Sequence, residues 1–291
     1  MVPFTYYYGY RTLDEQMRQT VMAEFAANGA KHLVLSDALL SMIDGDPKLY
    51  LTLQKEMRDA GLTFVDAHSP FAAECDIGLP VRECRQQMIA RARFNLQVIR
   101  DFGVNTCCFH IKGRFYPGYN MLQVHDAARD SLEKLLPLAE ELDVTICLEN
   151  IFSPGNTVDE VLSLIEEFPS NNLGVCFDIG HANIMEHGKG NPECVAYPRW
   201  EIIGEAEPVW EEDVLTRMLP HIVNCHLHDN HALVDEHDLP GRGTVDWERA
   251  VKLLRTAPRI RNIQSEVIPA KNRIPIRELV GTFKKLGLDN D

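Results

Sequence analysis

Eight short β-rich runs recur along the chain, each separated from the next by a longer stretch with helical spacing. They are FTYYYG (4–9), HLVLS (32–36), TFVDAH (63–68), VNTCCFH (104–110), VTICLEN (144–150), LGVCFD (173–178), IVNCHLHD (222–229) and NIQSEV (262–267). In the stretch VRECRQQMIARARFNLQVIRDFG, Met88, Ile89, Ala92, Leu96 and Ile99 recur every three to four residues and Gly103 supplies a stop. Strands separated by helices pair in parallel, because a hairpin needs a short turn. Eight such units predict an α/β fold of one kind, a closed (β/α)8 or TIM barrel.

A barrel of this type takes ~250 residues, so the 291 residues read as a single domain over 1–291. No run of eighteen apolar residues is present, and MVPFTYYYGYRTLDEQ lacks the basic-then-apolar layout of a secretory signal. A cytoplasmic protein with no membrane partner is the expectation. Eight cysteines include no C-x-x-C pair, and Cys107, Cys108, Cys147, Cys176 and Cys225 fall within apolar runs, as buried small hydrophobes of a reducing compartment would. The net charge of −14 disfavours nucleic acid and anionic lipid as partners. A homo-oligomer is compatible with the sequence.

Ionisable residues end six consecutive strands: His68, His110, Glu149, Asp178, His226 with His228, and Glu266. Charges at the mouth of a barrel are costly to desolvate without a partner, so this coincidence implies a cation held among them. Glu149, Asp178, His226 and Glu266 offer three carboxylates and an imidazole, a set suited to one Mn2+, Mg2+ or Co2+ ion and tolerant of Zn2+. His226 and His228 alternate by two and both face inward, with His226 the favoured ligand. His181 follows Asp178 and can reach a second metal or a substrate oxygen. Asp235 and His237 lie in a long loop and are either further ligands or solvated loop residues. Lys112 reads as a surface residue, with anion binding or a Schiff base as its alternatives, and Arg242 in PGRGTVDW as a side chain reaching substrate. The stretches 111–121, 182–209 and 229–246 read as irregular loops on the catalytic face.

The motifs DAHSPF, CCFHIKG, ICLEN, VCFDIGHAN, NCHLHDN with its following D-x-H and GRGTVDW, and SEV resemble the xylose-isomerase-like barrel superfamily. That superfamily holds sugar isomerases, ketose 3-epimerases, inosose dehydratases and endonuclease IV (AP endonuclease family 2). The resemblance implies one divalent metal held by Glu149, Asp178, His226 and Glu266, with Glu149 and Glu266 doubling as acid and base and His181 binding a substrate hydroxyl or oxyanion. His68, His110, Glu149, Asp178, His181, His226, Asp235, His237 and Glu266 also match the trinuclear zinc ligands of endonuclease IV. FDIGHANIMEHG departs from the D-T-C-H of that family.

The expected function is a divalent-metal-dependent isomerase or epimerase of a small polyhydroxylated carbonyl compound (a sugar, sugar phosphate or cyclitol), working through a metal-stabilised enediolate. The alternatives are a lyase or dehydratase on a sugar or inosose, a zinc phosphoesterase on abasic DNA, and a catalytically silent sugar-binding or partner-dependent subunit.

Overall fold

Every one of the eight runs contains a strand in the computed structural model, which describes residues 2–289. The strands are β1 (Phe4–Tyr6), β2 (His32–Leu35), β3 (Thr63–His68), β4 (Thr106–Phe109), β5 (Thr145–Glu149), β6 (Leu173–Asp178), β7 (Ile222–Leu227) and β8 (Ile263–Ser265). Neighbours follow chain order, and β1 closes the barrel on β8 in parallel through Phe4↔Ile263, Thr5↔Gln264 and Tyr6↔Ser265. β1 and β8 are shorter than their apolar runs predict. Beyond them the ladder continues by single bonds, Tyr7 N to Ser265 O and Glu266 N to Leu227 O, which sets Glu266 at the barrel rim.

Residues two apart in a strand share a face. Beneath His68, His110, Glu149, Asp178, His226 and Glu266 therefore lie Asp66, Cys108, Cys147, Cys176, Asn224 and Gln264, all fully buried. Cys108, Cys147 and Cys176 pack with Val223 inside the barrel, whereas Cys107 and Cys225 face the helices. All five are buried as expected, and all eight cysteines are free. The rest of this layer is polar. Asp66 accepts from Thr106 Oγ1 at 2.7 Å, Asn224 Nδ2 at 3.0 Å and Ala67 N at 2.9 Å, and Asn262 Nδ2 donates to Thr106 Oγ1 at 2.6 Å. Burial pushes the Asp66 carboxyl pKa up, and these donors limit the rise.

The stretch 182–209 is not wholly irregular, contrary to expectation: it contributes to the helix Ile179–His187 and contains the helix Ala196–Glu201. Asp178 starts the first of these, its side chain accepting from His181 N at 2.6 Å. A carboxylate there satisfies an amide that has no partner within the helix. Ile184, Met185 and Trp200 then pack with Phe152 as a small apolar cluster, and the Phe152 ring lies 5.1 Å from that of His181. Loop 229–246 is held by Asp229, which accepts from Trp247 Nε1, Gly241 N and Asn230 N and pairs its backbone with Asp238. Among the described residues no helix is long and apolar enough to cross a membrane.

Candidate functional site

One ligand atom from each of Glu149, Asp178, His226 and Glu266 falls within 4.8 Å of the others, and all four residues are buried. A register shift between Val175 and Cys176 sets Asp178 directly opposite His226 across β6 and β7. His226 Nδ1 lies 3.3 Å from Glu266 Oε2, 3.6 Å from Glu149 Oε1 and 4.0 Å from Asp178 Oδ2. Neither ring nitrogen of His226 makes a hydrogen bond, although the side chain is wholly buried. Buried polar groups are otherwise almost always paired. An unpaired Nδ1 among three carboxylates is a donor set suited to a cation, so these residues fit a divalent metal.

The electrostatics agree with the geometry. Burial opposes charge on His226, yet Glu266, Cys108 and Glu149 outweigh it and hold the imidazole pKa well above its ordinary value. Burial likewise opposes ionisation of Glu149, and His110 and His226 outweigh it, leaving that carboxyl well below the usual range. Glu266 falls to about 2, with His226 overcoming its burial. Protons on imidazoles thus neutralise the carboxylates, which a metal ion would also do.

Two further groups flank this set. His68 Nε2 and His110 Nε2 lie 3.6 and 2.9 Å from Glu149 Oε2, and Cys108 Sγ donates to the same oxygen at 2.9 Å. On the other flank His237 Nε2 lies 2.9 Å from Asp235 Oδ2 and His181 Nε2 3.5 Å from the same atom, and His228 stacks on His237 with ring centroids 4.0 Å apart. His68, His181 and His237 each donate Nδ1–H to a backbone carbonyl, of Ser69, Asn150 and Glu266 respectively. That bond fixes the tautomer and turns Nε2 into the site, as in imidazoles prepared to bind a metal. His237 holds this position with a backbone φ of 53°, in the left-handed region.

A cavity of about 420 Å3 opens over these residues, lined by Tyr7, His68, His110, Glu149, His181, Asp235, His237 and Glu266 among others. A second cavity of equal volume, around Glu186, Glu211 and Arg249, contains no strand-end histidine. The family description "Xylose isomerase-like TIM barrel" matches residues 21–267. The chain belongs to that family.

Similarity to individual members of the xylose isomerase-like barrels is distant. An uncharacterized protein of Methanocaldococcus jannaschii is 28% identical over 48% of this chain, and the chain spans less than half the length of that relative, 45%. A D-tagatose 3-epimerase-like protein superposes with a TM-score of 0.70 at 17% identity, covering 99% of this chain and 96% of its own. The IOLI protein, solved with a zinc atom, gives 0.67 at 16%, covering 99% and 97%. AP endonuclease family 2 from Brucella melitensis gives 0.70 at 14%, covering 98% and 99%.

In this xylose isomerase-like barrel, His68, His110, Glu149, Asp178, His181, His226, His228, Asp235, His237 and Glu266 gather at one mouth, and Arg242 does not. Arg242 pairs instead with Asp238 at 3.1 Å and Glu278 at 2.7 Å on the outer surface. Its turn is fixed by Gly241 N, which donates to Asp229 Oδ2 at 2.8 Å. Lys112 also departs from its surface assignment: it is 4% exposed, and Nζ donates to Pro154 O at 3.1 Å. Sequence reasoning missed Tyr7, Arg114, Ser153 and Arg199 in the cavity wall. Tyr7 stands one residue past β1, within the first apolar run, and had a positional signal there. The other three lie in loops whose path the sequence leaves open.

Proposed function

We propose that the protein is a divalent-metal-dependent isomerase or epimerase acting on a small polyhydroxylated carbonyl compound. The observation that carries this reading is the buried His226 ring, whose Nδ1 has no hydrogen-bond partner and lies among Glu149, Asp178 and Glu266. A divalent cation held by these four residues would polarise a substrate carbonyl and its neighbouring hydroxyl. Glu149 and Glu266 reach the same point from β5 and from the end of β8. Both carboxyls are held ionised, so one can take a proton from the carbon next to the carbonyl while the other, once protonated, returns it. Return at the opposite face inverts a centre, and return at the neighbouring carbon moves the carbonyl. His181 lines the cavity with a raised pKa, because Asp178 and Asp235 outweigh its burial, and it donates to the oxygen on which negative charge develops. The sugar-epimerase name of one structural neighbour and the zinc of another support this reading.

One observation favours a second reading. The sets His68, His110, Glu149 and His228, Asp235, His237 flank the central four, so the mouth has donors for more than one ion, as a zinc phosphoesterase requires. A net charge of −14 opposes a DNA substrate.

The test is to incubate the metal-loaded protein with a panel of ketoses and inososes in deuterium oxide and to follow exchange by NMR. Wild-type protein should incorporate deuterium beside the carbonyl, and Glu149→Gln and Glu266→Gln should abolish it. Exchange retained in both variants overturns the assigned roles; loss of water from the product moves the assignment to a dehydratase.

A further inference from the structure

The cavity over the carboxylates adjoins another of about 350 Å3, and the two share Gly113, Arg114, Ser153 and Arg199 in their walls. The second chamber is of opposite character. Its charged lining residues are Lys112, Arg114 and Arg199, its other residues are Ser153, glycine and apolar side chains, and no carboxylate lines it. In a chain with 43 acidic and 29 basic residues, a chamber with three cations and no acid is against the average. Arg114 and Arg199 form no ion pair or hydrogen bond among the described residues, whereas Arg85, Arg129, Arg217 and Arg249 each reach a carboxylate. Lys112 is buried beside them, and its Nζ donates to Pro154 O at 3.1 Å, which fixes its position. Ser153 Oγ accepts from Asn156 Nδ2 at 3.1 Å, and its own proton has no acceptor among the described residues.

Two guanidinium forks and a hydroxyl donor beside a fixed ammonium recognise an oxyanion. The Debye length in physiological salt is ~8 Å, so these local cations outweigh the negative charge of the distant surface. We infer that Arg114 and Arg199, with Ser153, form an anion subsite that binds a phosphate monoester or a carboxylate on the substrate while its carbonyl end lies over Glu149 and Glu266. This rests on the isomerase or epimerase reading for the carbonyl end alone. The three subsite residues come from the segments after β4, β5 and β6, the last carrying Arg199 on the helix Ala196–Glu201. Their placement selects a substrate long enough to bridge both chambers and leaves neutral ketoses without a partner at one end.

The test is calorimetric titration of metal-loaded wild type, R114A, R199A and the double variant with inorganic phosphate and with acetate. In parallel, deuterium exchange is compared on a ketose, the same ketose phosphorylated at its far end, and the matching keto-acid. Loss of one charge-assisted contact should weaken the anion about tenfold or more in each single variant. The preference for the anionic compound over the neutral ketose, read as the ratio of their exchange rates, should fall by the same factor. Phosphate binding with weak acetate binding assigns a phosphate monoester; the reverse assigns a carboxylate. Both arginines are exposed, and unchanged thermal denaturation shows that the variants fold. Absence of anion binding, or anion binding unaffected in the double variant, overturns the inference while leaving exchange by Glu149 and Glu266 intact. Arginine-dependent anion binding with no exchange on any compound keeps the subsite and removes the isomerase reading.

Discussion

Cys108 donates its thiol to Glu149 Oε2 at 2.9 Å, so the layer beneath the site reaches directly into it. The sequence places Cys108 among buried small hydrophobes, and it is one, but its hydrogen bond also sets the position of a carboxylate that has to face upward. Groups that orient a metal ligand typically contribute ~10–100-fold to metal affinity. Cys108→Ala should therefore weaken metal binding about tenfold, whereas Cys108→Ser keeps a donor and should stay close to wild type. Chelator competition measures both; equal affinities in the two variants would remove the positioning role.

Gly180 is required by His228. A Cβ at Gly180 would stand 2.0 Å from His228 Cε1 and 2.6 Å from each of its ring nitrogens. The ring cannot move freely, because Nε2 lies 3.1 Å from Asp178 Oδ2. Gly180→Ala should cost ~1–3 kcal/mol as an overpacked core does, and about 2–4 °C in Tm follows for each of those kcal/mol in a chain this large. A thermal melt that matches wild type would contradict the packing described.

Asp66 ties three strands together inside the barrel through Thr106 and Asn224. Asp66→Ala leaves a hydroxyl and an amide buried without their acceptor, at ~1–3 kcal/mol each. Asp66→Asn restores one acceptor and should fall between Asp66→Ala and wild type. Urea denaturation gives the order, and an alanine variant as stable as the asparagine variant would refute it.

The metal-free protein should show a pH window of stability set by the imidazole–carboxylate pairs. Burial opposes charge on His237, but Asp235 outweighs it and lifts the pKa from 6.5 to about 9. A raised histidine pKa stabilises fully below its unfolded value, and the contribution declines as pH rises from 6.5 to about 9. Glu266, depressed from 4.5 to about 2, stabilises fully above its unfolded value and loses that contribution as pH falls from 4.5 to about 2. Thermal melts of metal-free protein should thus decline on both sides of a plateau between 4.5 and 6.5. In metal-loaded protein the part of the alkaline decline due to His226 should vanish, because an imidazole that binds metal is neutral, while the part due to His237 remains. Parallel alkaline declines would contradict this.

Much of the fold and most of the site are legible in the chain. The apolar runs locate all eight strands, and the period of two carries His68, Glu149 and His226 to one mouth. What escapes has local causes. Asp178 is both strand end and helix cap, so the helix after it has no separate start signal, and 182–209 reads as loop. Arg242 and Lys112 sit in loops whose direction is decided by Asp229 and by Asn156, through bonds to Gly241 N and Lys112 N that join distant parts of the sequence. Arg114 and Arg199 are 85 positions apart (199 minus 114), and only the folded loops bring them to one cavity.

The central claim is that the buried His226 ring and its three carboxylates hold a divalent ion. The measurement that tests it most directly is metal content per chain, by elemental analysis of wild-type and His226→Ala protein purified without added metal or chelator. The account predicts about one divalent ion per wild-type chain and strong depletion in the variant. Metal-free wild type, or a variant that keeps its full metal content, would contradict it.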